Sequence, residues 1–160
     1  MNTSAKPLVQ KIISGGQTGV DRAALDFALQ NKISCGGFCP KGRLAEDGII
    51  PPHYPLNETE TAVYEERTEL NVMHSDGTLI IAPALPLIGG TLYTFQFAEQ
   101  KNKPCFICIT GSDMKKQKAK FLEWLAENKI CTLNIAGPRE STSPGIGEKT
   151  KSVLKMLIVE

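Results

Sequence analysis

The chain predicts an α/β fold: one domain over residues 1–160, built on a doubly wound parallel sheet with helices on both faces. Three observations predict it. Apolar periodicity alternates between strand and helix from end to end. The strand-like runs are apolar on successive residues, as parallel strands covered on two faces are. Two of them run into glycine clusters that open helices, Gly15-Gly16-Gln17-Thr18-Gly19 and Gly89-Gly90-Thr91.

The elements follow in order. Val9, Ile12 and Ile13 mark a first strand over about Val9–Ser14. Val20, Ala24, Phe27 and Ala28 recur at helical spacing and predict a helix over about Val20–Gln30. A short second strand covers about Ile33–Phe38. From Cys39 to Asn57 the chain carries Pro40, Pro51, Pro52 and Pro55, which rules out a helix there. A loop that long in a small domain is usually functional. A helix over about Glu60–His74 follows, then a third strand, Thr78–Ala82, stopped by Pro83. Leu85–Ile88 leads into Gly89-Gly90-Thr91, which opens a helix to about Lys101. Cys105–Ile109 is the fourth strand. A helix over about Asp113–Asn128 puts Phe121, Leu122 and Leu125 on one stripe and lysines opposite. The fifth strand is Cys131–Ala136, and Gly137–Gly147 leads to a last helix over about Glu148–Ile158. There is no internal repeat and no linker.

Right-handed crossovers favour the doubly wound arrangement. Its ligands sit at the carboxyl ends of the strands, where strand order reverses. With the order 2-1-3-4-5, the first and third strands are neighbours and both glycine turns face one crevice. That order is the expectation.

Composition narrows the function classes. Hydrophobic residues are 41% and charged residues 22%, an ordinary soluble globular balance. A net charge of +1 gives no footprint for nucleic acid or a membrane surface. No apolar run is long enough to span a bilayer. Met1–Gln10 lacks the apolar core of a signal peptide. Five cysteines, an odd count without framework spacing, argue against structural disulfides and make the cytoplasm the default location. Cys105 and Cys108 read as C-x-x-C, but residues three apart on a strand point to opposite faces and cannot pinch one metal. Cys35 and Cys39 flank a Gly-Gly turn with no second cysteine pair nearby, so no zinc site is expected. His53 and His74 are isolated and read as loop or surface residues.

The first glycine turn aims main-chain N–H groups and the positive end of a helix dipole at one point, which suits a phosphate. Dinucleotide binding is disfavoured. Ser14 stands at the first glycine position, and the region some 20 residues on holds Cys39 and Lys41 rather than the acid that binds a ribose. Thr18-x-x-Asp21 matches a capping box, and the same carboxylate is placed for ligand contact. Arg22 at a helix start opposes the dipole, which calls for an anionic partner. Lys41 and Arg43 around Gly42 suit an anionic ligand, or simply a solvated turn. Gly89, Gly90 and Thr91 repeat the cradle logic. Arg67 could reach the same mouth, or pair on its own helix with Glu66 or Glu69. Gly145–Thr150 resembles a P-loop only superficially, because Glu148 separates Gly147 from Lys149. Asp21, Glu46, Asp47 and Glu140 could serve acid–base roles, yet nothing marks one as a catalyst.

Several blocks together resemble the signature of the molybdenum carrier protein family. They are Ile13–Asp26, Cys39–Gly48, Tyr64–Val72, Ser75–Leu79, Gly89–Thr91 and Ala136–Ser141, in the family's order through most of the chain. That family belongs to a wider Rossmann-like group with the lonely-guy phosphoribohydrolases and lysine-decarboxylase-like proteins. The resemblance implies a homo-oligomeric carrier of molybdenum cofactor, a phosphorylated pterin whose dithiolene holds the metal. Donor or acceptor proteins for that cofactor are implied with it. The matching site residues are Gly15, Gly16, Gln17, Thr18, Gly19, Arg22, Lys41, Arg43, Arg67, Gly89, Gly90, Thr91, Arg139 and Ser141. Arg139 fits worst, because it follows the fifth strand, which the expected order puts away from the first turn. The alternatives are a phosphoribohydrolase-like nucleotide enzyme and a nucleotide sensor in the same crevice. The hydrolases carry P-G-G-x-G-T-x-x-E; here Thr94 stands at the acid's position, which disfavours an enzyme. The carrier family often has an aromatic where this chain has Gly147.

Overall fold

The computed structural model describes residues 8–159, so part of the segment read for a signal peptide lies outside the described residues. The strands are β1 (Lys11–Ile13), β2 (Ser34–Gly36), β3 (Phe38–Cys39), β4 (Leu44–Ala45), β5 (Gly48–Ile49), β6 (Asn57–Glu58), β7 (Gly77–Ala82), β8 (Cys105–Ile109) and β9 (Thr132–Ala136). The helices are α1 (Val20–Gln30), α2 (Tyr64–Met73), α3 (Gly89–Gln100), α4 (Met114–Glu127) and α5 (Ile146–Leu154). The last helix continues into a π-helical turn, Lys155–Val159.

Five strands form one sheet in the order β2-β1-β9-β7-β8. Every pairing in it is parallel. Alternation along β7 splits the core. Leu79 and Ile81 face a layer built from α1, α4 and α5, where they pack with Phe27, Phe121 and Leu154. Ile80 and Ala82 face Leu87, Leu92 and Phe95 at and beside α3. Val72 of α2 packs on Phe97 and Ala98 of α3. The parallel sheet is therefore covered on both faces, as the apolar strand runs predict.

The strand order corrects the expectation. Counted as the sequence counts them, the five strands run 2-1-5-3-4, because β9 inserts between β1 and β7. Bonds between residues distant in sequence hold the inserted strand in place. The Asp76 carboxylate accepts from the N–H groups of Cys131 at 3.0 Å and Thr132 at 2.8 Å. Asn134 Nδ2 donates to Thr78 Oγ1 at 3.2 Å. Both tie β9 to β7.

The proline-rich stretch is folded rather than loose. β3 pairs with β6, and β4 with β5 as a small hairpin. The helix expected from Glu60 starts at Tyr64. Before it, Glu66 takes the Glu60 N–H at 2.9 Å and the Thr61 hydroxyl, which folds that segment back onto the helix start. The capping box does not form. Gly19 is the N-cap of α1, with φ +80° and no side-chain cap.

All five cysteines are free thiols. Burial pushes the Cys105 and Cys108 thiols up to about 12 and about 11. His53 and His74 are exposed. No described helix is long and apolar enough to cross a membrane.

Candidate functional site

A cavity of about 660 Å³ opens at the carboxyl ends of β1, β9 and β7. The first glycine turn contributes Gly15 and Gln17, and α1 contributes Asp21. β9 and the loop after it contribute Asn134, Ile135, Ala136, Gly137, Pro138, Arg139 and Thr142. α2 supplies Tyr64, Glu65, Arg67, Thr68 and Asn71. Ile88, Gly89, Gly90, Thr91, Tyr93 and Thr94 complete the wall at the start of α3.

Glycine lets the first turn lie against the loop after β9. A Cβ on Gly19 would stand 2.5 Å from the Pro138 carbonyl oxygen and 2.8 Å from the Glu140 nitrogen. Gly15 is crowded from the cavity side instead. A Cβ there would meet Arg67 Nη1 at 1.8 Å, so the guanidinium lies directly over the turn. Arg67 Nη1 reaches Asp21 Oδ2 at 2.8 Å. Their side chains are 13% and 6% exposed, which makes this a buried ion pair. Burial pushes the Asp21 carboxyl up, and the Arg67 charge and hydrogen bond pull it part of the way back.

Gln17 is fixed by its oxygen. Oε1 accepts from the Thr18 N–H at 3.1 Å and the Glu46 N–H at 2.9 Å. Its Nε2 is buried without a partner, and so is Arg67 Nε. The guanidinium carbons of Arg67 and Arg139 stand 5.6 and 5.7 Å from the Tyr64 ring centroid, within cation–π range. The start of α3 has no side-chain cap. Cβ atoms on Gly89 and Gly90 would meet nothing within 4 Å. The helix therefore presents uncapped N–H groups to open space. Thr94 Oγ1 donates to the Gly90 carbonyl at 2.9 Å. The Tyr93 hydroxyl donates to Glu69, and that bond pushes it up to about 12.

Gly15, Gln17, Arg67, Gly89, Gly90, Thr91 and Arg139 thus meet around one cavity. The two glycine turns share a crevice although the strand between them was not expected. That same strand resolves the position of Arg139, because β9 is central and its end lies between the turns.

Gly16, Thr18, Gly19, Arg22, Lys41, Arg43 and Ser141 do not line it. Gly16 backs onto the proline-rich loop, where a Cβ would meet Leu56 Cδ1 at 2.6 Å. The anion that Arg22 calls for is the protein's own Asp47. Arg43 donates to the carbonyls of Ile50, Pro51, Tyr54 and Leu56, at 3.0, 2.7, 3.0 and 3.4 Å, and so clamps the loop. Lys41 is exposed. Ser141 and Thr18 both donate their hydroxyls to Glu46. Those bonds, Ser141's first, hold the Glu46 carboxyl below its ordinary range. Asp21 lines the cavity as the partner of Arg67, not as a cap.

Sequence reasoning found Arg67 but missed Tyr64, Thr68 and Asn71 beside it on the polar face of α2. Tyr64, Arg67, Thr68 and Asn71 recur at helical spacing and all line the cavity. A polar stripe at positions i, i+3, i+4 and i+7 was the available signal.

The comparisons with known proteins agree with this architecture. No curated protein matches the chain. The crystal structure of a protein from Syntrophus aciditrophicus SB, solved at 1.45 Å and described as a "Putative molybdenum carrier protein", is 46% identical to it. The match covers 98% of this chain and 99% of that one, with a TM-score of 0.91. Both are single Rossmann-like α/β folds. The profile of the circularly permutated YpsA SLOG family matches residues 12–158. The chain belongs to the circularly permutated YpsA SLOG family.

Proposed function

We propose that this protein is a binding and carrier protein for a phosphate-bearing cofactor, and that the cofactor is molybdenum cofactor. One observation carries the reading: an uncapped helix N-terminus and two arginines converge on one cavity of small-molecule size. The N–H groups of Gly89, Gly90 and Thr91 and the Arg139 guanidinium are donors for anionic oxygens of the ligand. Arg67 adds a buried Nε–H that no protein group accepts. Tyr64, flanked by both guanidinium groups, offers a ring for a flat heterocycle. When bound, the cofactor's own dithiolene supplies the metal coordination, and the protein's part is to hold phosphate and pterin.

The name carried by the Syntrophus relative supports the same reading. The enzyme alternative loses ground at Thr94. Where phosphoribohydrolases carry an acid, this side chain donates to the carbonyl of Gly90 one helical turn back. We further propose a homo-oligomer of the cytoplasm that receives the cofactor from a donor protein and passes it to an acceptor.

The test is native mass spectrometry with metal analysis on protein purified without oxygen. Molybdenum and pterin in stoichiometric amounts are expected. A bound nucleotide without molybdenum overturns the cofactor assignment. Release of free base from nucleoside monophosphates overturns the carrier reading in favour of the enzyme.

A further inference from the structure

Gln17 carries information that the glycines beside it do not. It is 5% exposed and lines the cavity. Both partners of its Oε1, the N–H groups of Thr18 and Glu46, can only donate. The amide therefore cannot turn over without setting its own donors against them. Oxygen is committed to the main chain, and Nε2 is left as a donor of fixed position. That Nε2 is buried and has no partner. Arg67, on the same cavity wall, leaves its Nε buried and without a partner as well. Buried donors in folded proteins almost always find an acceptor. Asp21 Oδ2 is taken by Arg67 Nη1.

We propose that Gln17 is a specificity-determining residue, a donor of fixed polarity that takes an anionic oxygen of the ligand. The inference rests on the cavity being the binding site, as proposed above, and adds what the ligand must present there. A group that can only donate, or an apolar edge, leaves Nε2 unpaired and is rejected. The oxygen belongs either to a phosphoryl group on a cofactor or to a free oxyanion. Both share this chemistry, and the test separates them.

Gln17→Glu is the informative variant. It keeps an acceptor for Thr18 and Glu46, so the turn stays tied to the Glu46 segment, and it removes the donor. Gln17→Met removes both and adds no charge. The probes are a pterin monophosphate, the unphosphorylated pterin and inorganic phosphate. Affinity is read by calorimetry. The side-chain amide of Gln17 is read by NMR, assigned by its loss in Gln17→Glu, with circular dichroism confirming the fold of each variant. The expected order for the phosphorylated pterin is wild type, then Gln17→Met, then Gln17→Glu. The last is at least tenfold weaker than wild type, and the Gln17 amide resonances move on binding. If inorganic phosphate moves those resonances and the pterin phosphate does not bind, the cofactor reading fails and the donor assignment stands. If the pterin phosphate binds equally to all three proteins with the amide unmoved, the donor assignment fails and the carrier reading stands. If neither anion binds wild type, the donor assignment is overturned.

Discussion

Gly15→Ala tests the pairing that defines the inner wall of the cavity. The new Cβ stands 1.8 Å from Arg67 Nη1, 2.9 Å from Cζ and 3.0 Å from Cδ, where ordinary contact begins near 3.4 Å. The guanidinium must move, and Nη1 is the atom that bonds Asp21 at 2.8 Å. Asp21 itself is 4% exposed and cannot follow into water. Breaking one side of a buried ion pair leaves an uncompensated charge and costs about 3–5 kcal/mol. The variant is therefore expected to lose about 3 kcal/mol of unfolding free energy at pH 7.5, measured by urea denaturation at fixed protein concentration.

The pH dependence identifies the cause. Burial already holds the native Asp21 carboxyl above the ordinary value it has in the unfolded chain. Its contribution to stability is therefore fully present below that unfolded value and is lost as pH rises through the folded one. Arg67 is the chief group pulling the folded value down. Displacing it raises the folded value further, so the penalty of Gly15→Ala is full at neutral pH. It fades as pH falls below the wild-type folded value, where both proteins carry a protonated Asp21. In an Asp21→Asn background the same glycine change should cost about 2 kcal/mol less, because no carboxylate is stranded. A loss under about 1 kcal/mol at pH 7.5, or one that is the same at acid pH and in the Asp21→Asn background, refutes the reasoning.

Three further outcomes are expected. Arg139→Met should weaken binding of a pterin monophosphate at least tenfold, a loss of about 1.4 kcal/mol, with little effect on the unphosphorylated pterin, as calorimetry can show. Arg43→Met removes the donors that gather the carbonyls of Ile50, Pro51, Tyr54 and Leu56. Hydrogen exchange should report local opening across residues 43–56, eased by about 2–3 kcal/mol, while the amides of the central sheet keep their protection. Asp113 caps α4, its carboxylate accepting from the N–H groups of Lys115 at 3.1 Å and Lys116 at 3.2 Å. Asp113→Ala should cost about 1 kcal/mol in thermal or urea unfolding, and no ligand affinity.

The elements of the fold were legible because their signals are local. The apolar stripe of α1 fixes Val20–Gln30, and the run Cys105–Ile109 is a strand as read. Glycine clusters marked both turns of the cavity for the same reason. Strand order was not legible, because Asp76 holds β9 beside β7 across more than fifty residues of sequence. The candidate cations divide along the same line. An arginine beside a glycine turn reads alike whether it meets a ligand or the protein's own oxygens. Arg22 meets Asp47 and Arg43 meets main-chain carbonyls, and both partners lie in a loop whose path no periodicity encodes. Asp21 was ambiguous between cap and ligand contact, and its true partner sits on another helix.

The inserted strand also explains the size of the cavity. Neighbouring strands lie about 4.8 Å apart, so two glycine turns on adjacent strands would crowd a single phosphate between them. With β9 between β1 and β7, the strand ends that launch the two turns stand about 10 Å apart. The residues that close β9, Ala136 to Arg139, then become the floor between them. The turns are not equivalent in this gap. The first is covered by Arg67 and its bound carboxylate, Asp21, whereas the second opens onto free space. A ligand that uses both ends therefore meets an uncapped helix and Arg139 on one side, and Gln17 with Arg67 on the other. Such spacing suits a phosphate joined to a flat ring system better than a phosphate alone. It follows that a minimal oxyanion should bind this protein far more weakly than a phosphorylated heterocycle, whichever wall it prefers.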